Sequence, residues 1–165
     1  MIKPAVLLTP TLPMTATQPS SPSATLYATD YIQWLTTTAD KLRCQDYDHV
    51  DWANLIEEIE DMAKRERRSL KSNLIILLLH LLKWQYQPDR RSGSWAGSIV
   101  EHRRRIDEVL KDSPSLKPHL EKVLPEAYTN AVKQAVAETQ LSADTFPSEC
   151  EFKLSQIMDD SFPPS

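Results

Sequence analysis

The chain has 165 residues, of which 41% are hydrophobic and 25% charged, and its formal net charge is −4. A chain of this length can bury a core, and so mild a charge does not by itself indicate nucleic acid or an acidic membrane surface as a partner. Only two glycines occur, where average usage of about 7% would give roughly a dozen. Because sheet proteins spend glycine on turns and bulges, this composition argues against them and favours an all-α fold.

The two cysteines, Cys44 and Cys150, lie far apart in the sequence, with no CxxC or histidine spacing around either. They predict neither a disulfide framework nor a zinc site. We expect buried or free thiols in a reducing cytosol.

The first 24 residues contain five prolines and no acidic residue. Their apolar run, Ala5 to Leu8, is too short for the hydrophobic region of an export signal. We therefore expect a disordered Pro/Ser/Thr-rich tail over residues 1–24, followed by a single helical domain over residues 25–163. With no segment suited to crossing a membrane, the predicted location is the cytoplasm and no membrane contact is expected.

The first predicted helix covers Thr25 to Arg43. Its apolar and aromatic residues recur at helical spacing on one face and are expected in the core, with a ligand-binding platform as the alternative: Tyr27, Tyr31, Trp34, Leu35 and Leu42. Asp51 is placed to cap the next helix. Residues 51–87 contain no glycine or proline, so they predict either one helix of about 35 residues or two helices divided near Glu66 to Ser69.

The centre of the chain is the leucine-rich stretch Ser69 to Gln87, in which nine of the eleven residues from Leu74 to Trp84 are apolar. Apolar residues cover this helix almost all round, which is typical of the central helix of a bundle. Lys71, Asn73, His80 and Lys83 interrupt the stretch, and this argues against a transmembrane helix.

Further helices follow. Ser94 is predicted to cap a helix from Trp95 to about Lys111. A long amphipathic pattern covers Leu116 to Thr139, where Pro125 should kink or divide the helix. Lys153 to Asp159 could form a last short helix. The fold class predicted is therefore an all-α helical bundle of about four to six helices with a disordered N-terminal tail.

Several segments, read in order, resemble a known family: LYATDYIQWLTTTADKLR, WANLIEEIEDMAKRERRSLKSNL, LLLHLLKWQYQPDRRSGSW, SPSL, ETQL and FPSEC. They are similar to the bacterial domain of unknown function family 29, over about Leu26 to Pro163. The resemblance implies a helical domain and no established activity, cofactor or catalytic residue. Gln45 and Gln140 stand where the family commonly has glycine, so we expect these two helix ends to be capped differently.

An acidic set, Glu57, Glu58, Glu60 and Asp61, could hold a divalent metal together with His80 or His102. The set lacks the Glu-x-x-His spacing of di-iron bundles, and ion pairs with Lys64 and Arg65 explain it more simply. His80, among leucines, is expected to be a neutral, hydrogen-bonded core residue. We therefore expect no catalytic residue, no metal and no cofactor, and rank a metal-dependent enzyme third among the possible functions.

The region from Lys83 to Arg105 holds six basic residues against two acidic ones. The loop PDRRSGSW leads into a helix whose free amides could bind a phosphate. The candidate residues for an anion or nucleic-acid site are Arg90, Arg91, Ser94, Arg103, Arg104 and Arg105. The alternative is an internal ion-pair network or a solvated face.

Two hypotheses about function follow. The first is a non-enzymatic helical interaction protein that acts through protein partners or as a homo-oligomer, since separated basic and acidic regions favour electrostatic docking. The second is a nucleic-acid or anion-binding module that uses the basic region.

Overall fold

The computed structural model describes the backbone of residues 22–161 and the side chains of residues 26–161. Within these residues the regular structure is entirely helical. The α-helices are α1 (Pro22–Thr29), α2 (Tyr31–Arg43), α3 (Trp52–Tyr86), α4 (Gly93–Asp112), α5 (Lys117–Thr139) and α6 (Leu154–Ile157). Short 3-10 helices occur at Tyr47–His49, Pro88–Arg90, Pro114–Leu116 and Ala143–Thr145. The predicted all-α fold is confirmed.

The chain forms two compact units, Met1–Glu58 and Ile59–Ser165. Most of the predicted tail, residues 1–21, lies outside the described residues. The single domain over residues 25–163 stays a prediction.

In the first unit the predicted helix from Thr25 to Arg43 is wrong, because the chain breaks at Asp30 into α1 and α2. Asp30 has a non-helical backbone, with φ of −148° and ψ of 87°, and its carboxylate accepts a hydrogen bond from the Gln33 amide at 3.0 Å. An aspartate that satisfies a free amide in this way starts a new helix.

The core of the first unit is small. Among its described residues, Trp34, Thr38 and Val50 are buried. Tyr27 packs edge-on against the Trp34 ring, with 4.8 Å between the ring centroids. Tyr31 is 40% exposed and Leu35 38% exposed. The prediction that these two side chains belong to the core is therefore wrong, because α2 buries a narrower face than its apolar pattern indicates.

Helix α3 is one continuous helix of 35 residues, so the first of the two predicted arrangements of residues 51–87 is the observed one. Asp51 caps it as predicted: its carboxylate accepts hydrogen bonds from the Asn54 amide at 3.3 Å and from the Asn54 side chain at 2.6 Å. The helix ends two residues before Pro88, a residue that disfavours helical geometry in its predecessor.

The second unit is built around the leucine-rich half of α3. Its buried apolar side chains come from α3, α4, α5, α6 and the connections between them. They are Leu70, Leu74, Leu77, Leu78, Leu79, Leu81, Leu82, Ile99, Ile106, Leu116, Leu120, Ala127, Tyr128, Ala131, Ala135, Phe146 and Ile157. Burying a large apolar side chain contributes about 1.5–3 kcal/mol, so this cluster accounts for much of the drive to fold.

Three local predictions are corrected or narrowed, and two of them lie wholly in the second unit. Ser92, not Ser94, caps α4, and its hydroxyl accepts from the Trp95 amide at 3.4 Å. Helix α5 passes through Pro125 without being divided.

The third local correction concerns the two positions where the resemblance implied a changed helix cap. Gln45 and Gln140 have φ of 60° and 62°. Both therefore adopt the left-handed conformation that glycine takes most readily. The expectation of different caps is wrong: the backbone keeps the left-handed conformation and glutamine adopts it.

Candidate functional site

The six residues predicted to bind an anion lie along a short connection and the helix that follows it. Arg90 closes the 3-10 helix Pro88–Arg90, and Arg91 follows directly. Ser94 lies in the first turn of α4. Arg103, Arg104 and Arg105 are consecutive in the middle of the same helix.

Arg91 packs against an aromatic side chain at the end of α3. Its Nε donates to the Trp84 carbonyl oxygen at 3.1 Å, and its guanidinium carbon lies 5.0 Å from the centroid of the Trp84 ring. Lys83 makes a similar contact, with Nζ 4.5 Å from the centroid of the Trp95 ring and 2.5 Å from Glu138 Oε2. Both cations lie over the face of an aromatic ring, and the electrostatic attraction between cation and ring stabilises these contacts in addition to packing.

Arg103 is a core residue. Its side chain is 4% exposed, and Nε donates to the Ile157 carbonyl oxygen at 2.7 Å. Burial lowers the pKa of Arg103, although Asp160 and Asp159 oppose this shift. The contact ties α4 to α6 inside the second unit.

Arg104 and Arg105 are engaged by carboxylates on their own helix. Glu101 accepts from both arginines, at 2.9 Å from Arg104 Nη2 and 2.7 Å from Arg105 Nε, and Glu108 accepts from Arg104 at 2.5 Å. Hydrogen bonds from the two arginines lower the pKa of Glu101 to about 2. Arg104 and Arg105 therefore form ion pairs within α4.

A cavity of about 450 Å³ lies beside these residues in the second unit. Its lining mixes charges of both signs with apolar groups: Val100, Arg103, Arg104, Asp107, Met158 and Asp160. Since two acids face two bases, the cavity has no marked preference for an anion.

Two residues of the predicted acidic set, Glu58 and Asp61, contact different partners. Glu58 accepts from the hydroxyls of Tyr27 at 2.7 Å and Tyr31 at 2.8 Å. The hydrogen bond to Glu58 is the main cause that raises the pKa of Tyr27 to about 12. Asp61 pairs with Lys64 at 2.9 Å, and this hydrogen bond lowers the pKa of Asp61.

The two candidate histidines belong to a polar layer between α3 and α4. His80 Nδ1 lies 2.8 Å from the Ile76 carbonyl oxygen, so this nitrogen carries the proton and donates. His102 Nδ1 lies 2.8 Å from Asn73 Oδ1, and burial is the main cause that lowers its pKa. Among residues 26–161, no group of three His, Cys, Asp or Glu side chains is placed to hold a metal ion.

A feature that the sequence analysis did not single out is the set of exposed large apolar side chains. Eight of the nine found among the described residues lie between positions 31 and 62, and the ninth is Val100. The eight are Tyr31, Ile32, Leu35, Tyr47, Trp52, Ile56, Ile59 and Met62. Apolar residues at helical spacing predict a buried helix face, so the sequence does not show that these side chains are exposed.

The described part of this small chain is all helical and has no group of side chains placed to bind a metal ion. These features define a structural class but no activity. Comparison with known proteins identifies the family. The family model "Domain of unknown function DUF29" matches residues 26–163, so the chain belongs to the DUF29 family. No curated protein and no solved structure matches the chain. No helix among the described residues is long and apolar enough to cross a membrane.

Proposed function

We propose that this protein is a non-enzymatic helical interaction protein that acts through protein partners or through self-association. One observation carries the proposal: the small first unit exposes six large apolar side chains between Tyr31 and Ile56. Exposed apolar residues scattered singly are ordinary on protein surfaces, whereas several on one small unit favour an interaction site.

The composition of the first unit supports the same proposal. Tyr and Trp are among the residues that contribute most to protein interfaces, and Tyr31, Tyr47 and Trp52 are all at least 40% exposed. Between positions 22 and 58 the sequence has seven acidic and two basic residues. A partner with a basic rim around an apolar centre would therefore bind this unit fastest, because opposite charge steers the encounter.

The nucleic-acid or anion-binding alternative has Arg91 and its contact with Trp84 in its favour, together with the exposed Arg90. It is the weaker proposal because Arg103 is buried and both Arg104 and Arg105 already bind Glu101. Salt-sensitive binding of a labelled oligonucleotide that is lost in Arg90→Ala/Arg91→Ala would favour this alternative.

Site-specific photo-crosslinking in cells tests the interaction proposal. A photoreactive residue replaces Ile32, which is 69% exposed in the first unit. The matched control replaces Lys133, an exposed residue on α5. We expect protein adducts from position 32 and few from position 133. Equal labelling at both positions, or none at position 32, would contradict the proposal.

A further inference from the structure

We propose that a second copy of this chain binds antiparallel along α3 over Ile56–Ser69, so that the protein forms a two-fold symmetric dimer. The inference rests on the proposed function and names the partner. A symmetric dimer of this kind uses the same surface on both copies.

Most residues of the segment are exposed. Every residue from Ile56 to Ser69 is exposed apart from Glu58 and Asp61, which are half-buried. Ile56 is 54% exposed, Ile59 58% and Met62 59%. At 3.6 residues per turn, Ile56, Ile59 and Ala63 fall within about 60° of the helix circumference, and Met62 lies about 60° beyond Ile59. The stripe is a narrow apolar seam of the kind that pairs helices.

The charges around this seam point to a second copy as the partner. Within Ile56–Ser69, the charged residues before the midpoint between Met62 and Ala63 are all acidic, and those after it are mainly basic. An antiparallel alignment about that midpoint places the acidic half of one copy beside the basic half of the other. A parallel alignment would instead place acids beside acids, which destabilises a pair of helices.

The positions of these charges around the helix agree with that alignment. Glu60 lies on the same flank of the seam as Lys64 and Arg67, while Glu58 and Arg65 lie on the far side of the helix. In a two-fold antiparallel pair the same flank of both copies meets, so Glu60 faces Lys64 and Arg67 of the second copy.

Contacts within one chain compete with the dimer and set its strength. Lys64 pairs with Asp61 at 2.9 Å and lies 4.0 Å from Glu60 Oε2 in its own chain, although the Lys64 side chain is 50% exposed and that of Glu60 65% exposed. Glu66 falls within the seam and keeps the apolar contact short. We therefore expect a reversible dimer that weakens as salt screens the charges.

Sedimentation velocity on the full chain, at protein concentrations up to about 100 µM and at low and high salt, tests the dimer. One charge variant is Glu60→Lys/Asp61→Lys, and the other is Lys64→Glu/Arg67→Glu. Each repels itself, so we expect dimerisation at least about tenfold weaker in each, which corresponds to about 1.4 kcal/mol. An equimolar mixture of the two variants should recover the dimer, because every flank contact is then between opposite charges.

Matched controls carry the same change of charge elsewhere: Asp112→Lys/Glu121→Lys and Lys122→Glu/Lys133→Glu, all at exposed positions. They should dimerise as the original protein does. A monomer at all concentrations, or variants whose mixture does not recover, would overturn the self-pairing. If protein adducts still formed at position 32 in that case, the proposed function would stand with a different partner. The absence of both would overturn both.

Discussion

The two units of the chain differ in how they use apolar residues. In the second unit seventeen buried apolar residues form one cluster. In the first, the buried apolar residues among those described are Trp34 and Val50. The first unit nevertheless exposes six large apolar side chains: Tyr31, Ile32, Leu35, Tyr47, Trp52 and Ile56. The second unit thus buries most of its large apolar residues, whereas the first presents many of its own to solvent.

This difference suggests a division of roles. Exposed apolar groups lower solubility and do not stabilise a monomer. They become favourable only when a partner covers them. The following predictions test whether the two units respond differently to the same kind of change.

The largest effect is expected in the core of the second unit. Leu78, in α3, is fully buried, so Leu78→Ala should lower the free energy of unfolding by about 2–5 kcal/mol. Ile32→Ala is the matched change in the first unit and should alter it by less than about 0.5 kcal/mol, because a substitution at so exposed a position loses little packing. Urea denaturation measures both, and similar losses would contradict the contrast.

An intermediate effect is expected at the two left-handed glutamines, one in each unit. Gln45→Gly and Gln140→Gly should each raise the free energy of unfolding by about 0.5–1 kcal/mol, because glycine removes the steric conflict of a side chain at positive φ. Alanine at the same positions keeps the Cβ atom and should give no gain. Urea denaturation of the four variants measures their free energies of unfolding. A higher free energy of unfolding in the alanine variants would contradict the explanation.

The smallest effects are expected from two histidines with opposite pKa shifts. The hydrogen bond to Asp46 raises the pKa of His49 in the first unit, and burial lowers the pKa of His102 in the second, both from 6.5. The contribution of His49 is fully present below pH 6.5 and is lost as pH rises through its folded pKa. That of His102 is present above pH 6.5 and is lost as pH falls through its folded pKa.

An NMR titration of the histidine side chains should find the two midpoints on opposite sides of 6.5. Asp46→Asn removes the charged partner of His49 and should bring its midpoint down towards that value, with His102 unchanged. Midpoints on the same side would show that these contacts do not set the protonation of the two rings.

The fold could be predicted from the sequence where one strong signal had no competitor. The leucine spacing predicted the central helix, Asp51 its cap and the scarcity of glycine the all-α fold, and all three were confirmed. The same pattern left open whether α3 is one helix or two. Predictions failed where two similar signals competed. Ser92 and Ser94 are equally good caps by residue type, and only the backbone of the preceding loop selects Ser92. The break at Asp30 was missed because the apolar pattern continues across it.

The candidate site was harder to predict for a physical reason. The exposure of Ile56, Ile59 and Met62 depends on what packs against them, and helical spacing is the same for a buried and an exposed stripe. The basic residues show the same limit: their number could be read from the sequence, but the engagement of Arg104 and Arg105 by Glu101 depends on side-chain conformation.

The four tryptophans are intrinsic fluorescent probes, two in each unit of the protein. Trp34, fully buried, and Trp52, 46% exposed, lie in the first unit, while Trp84 and Trp95 lie in the second, each with a cation over its ring. A buried indole emits at shorter wavelength than a hydrated one, so Trp52 should shift to the blue when a partner covers it. With Trp34, Trp84 and Trp95 each replaced by phenylalanine, the remaining emission would report occupancy of that surface directly, without any attached label.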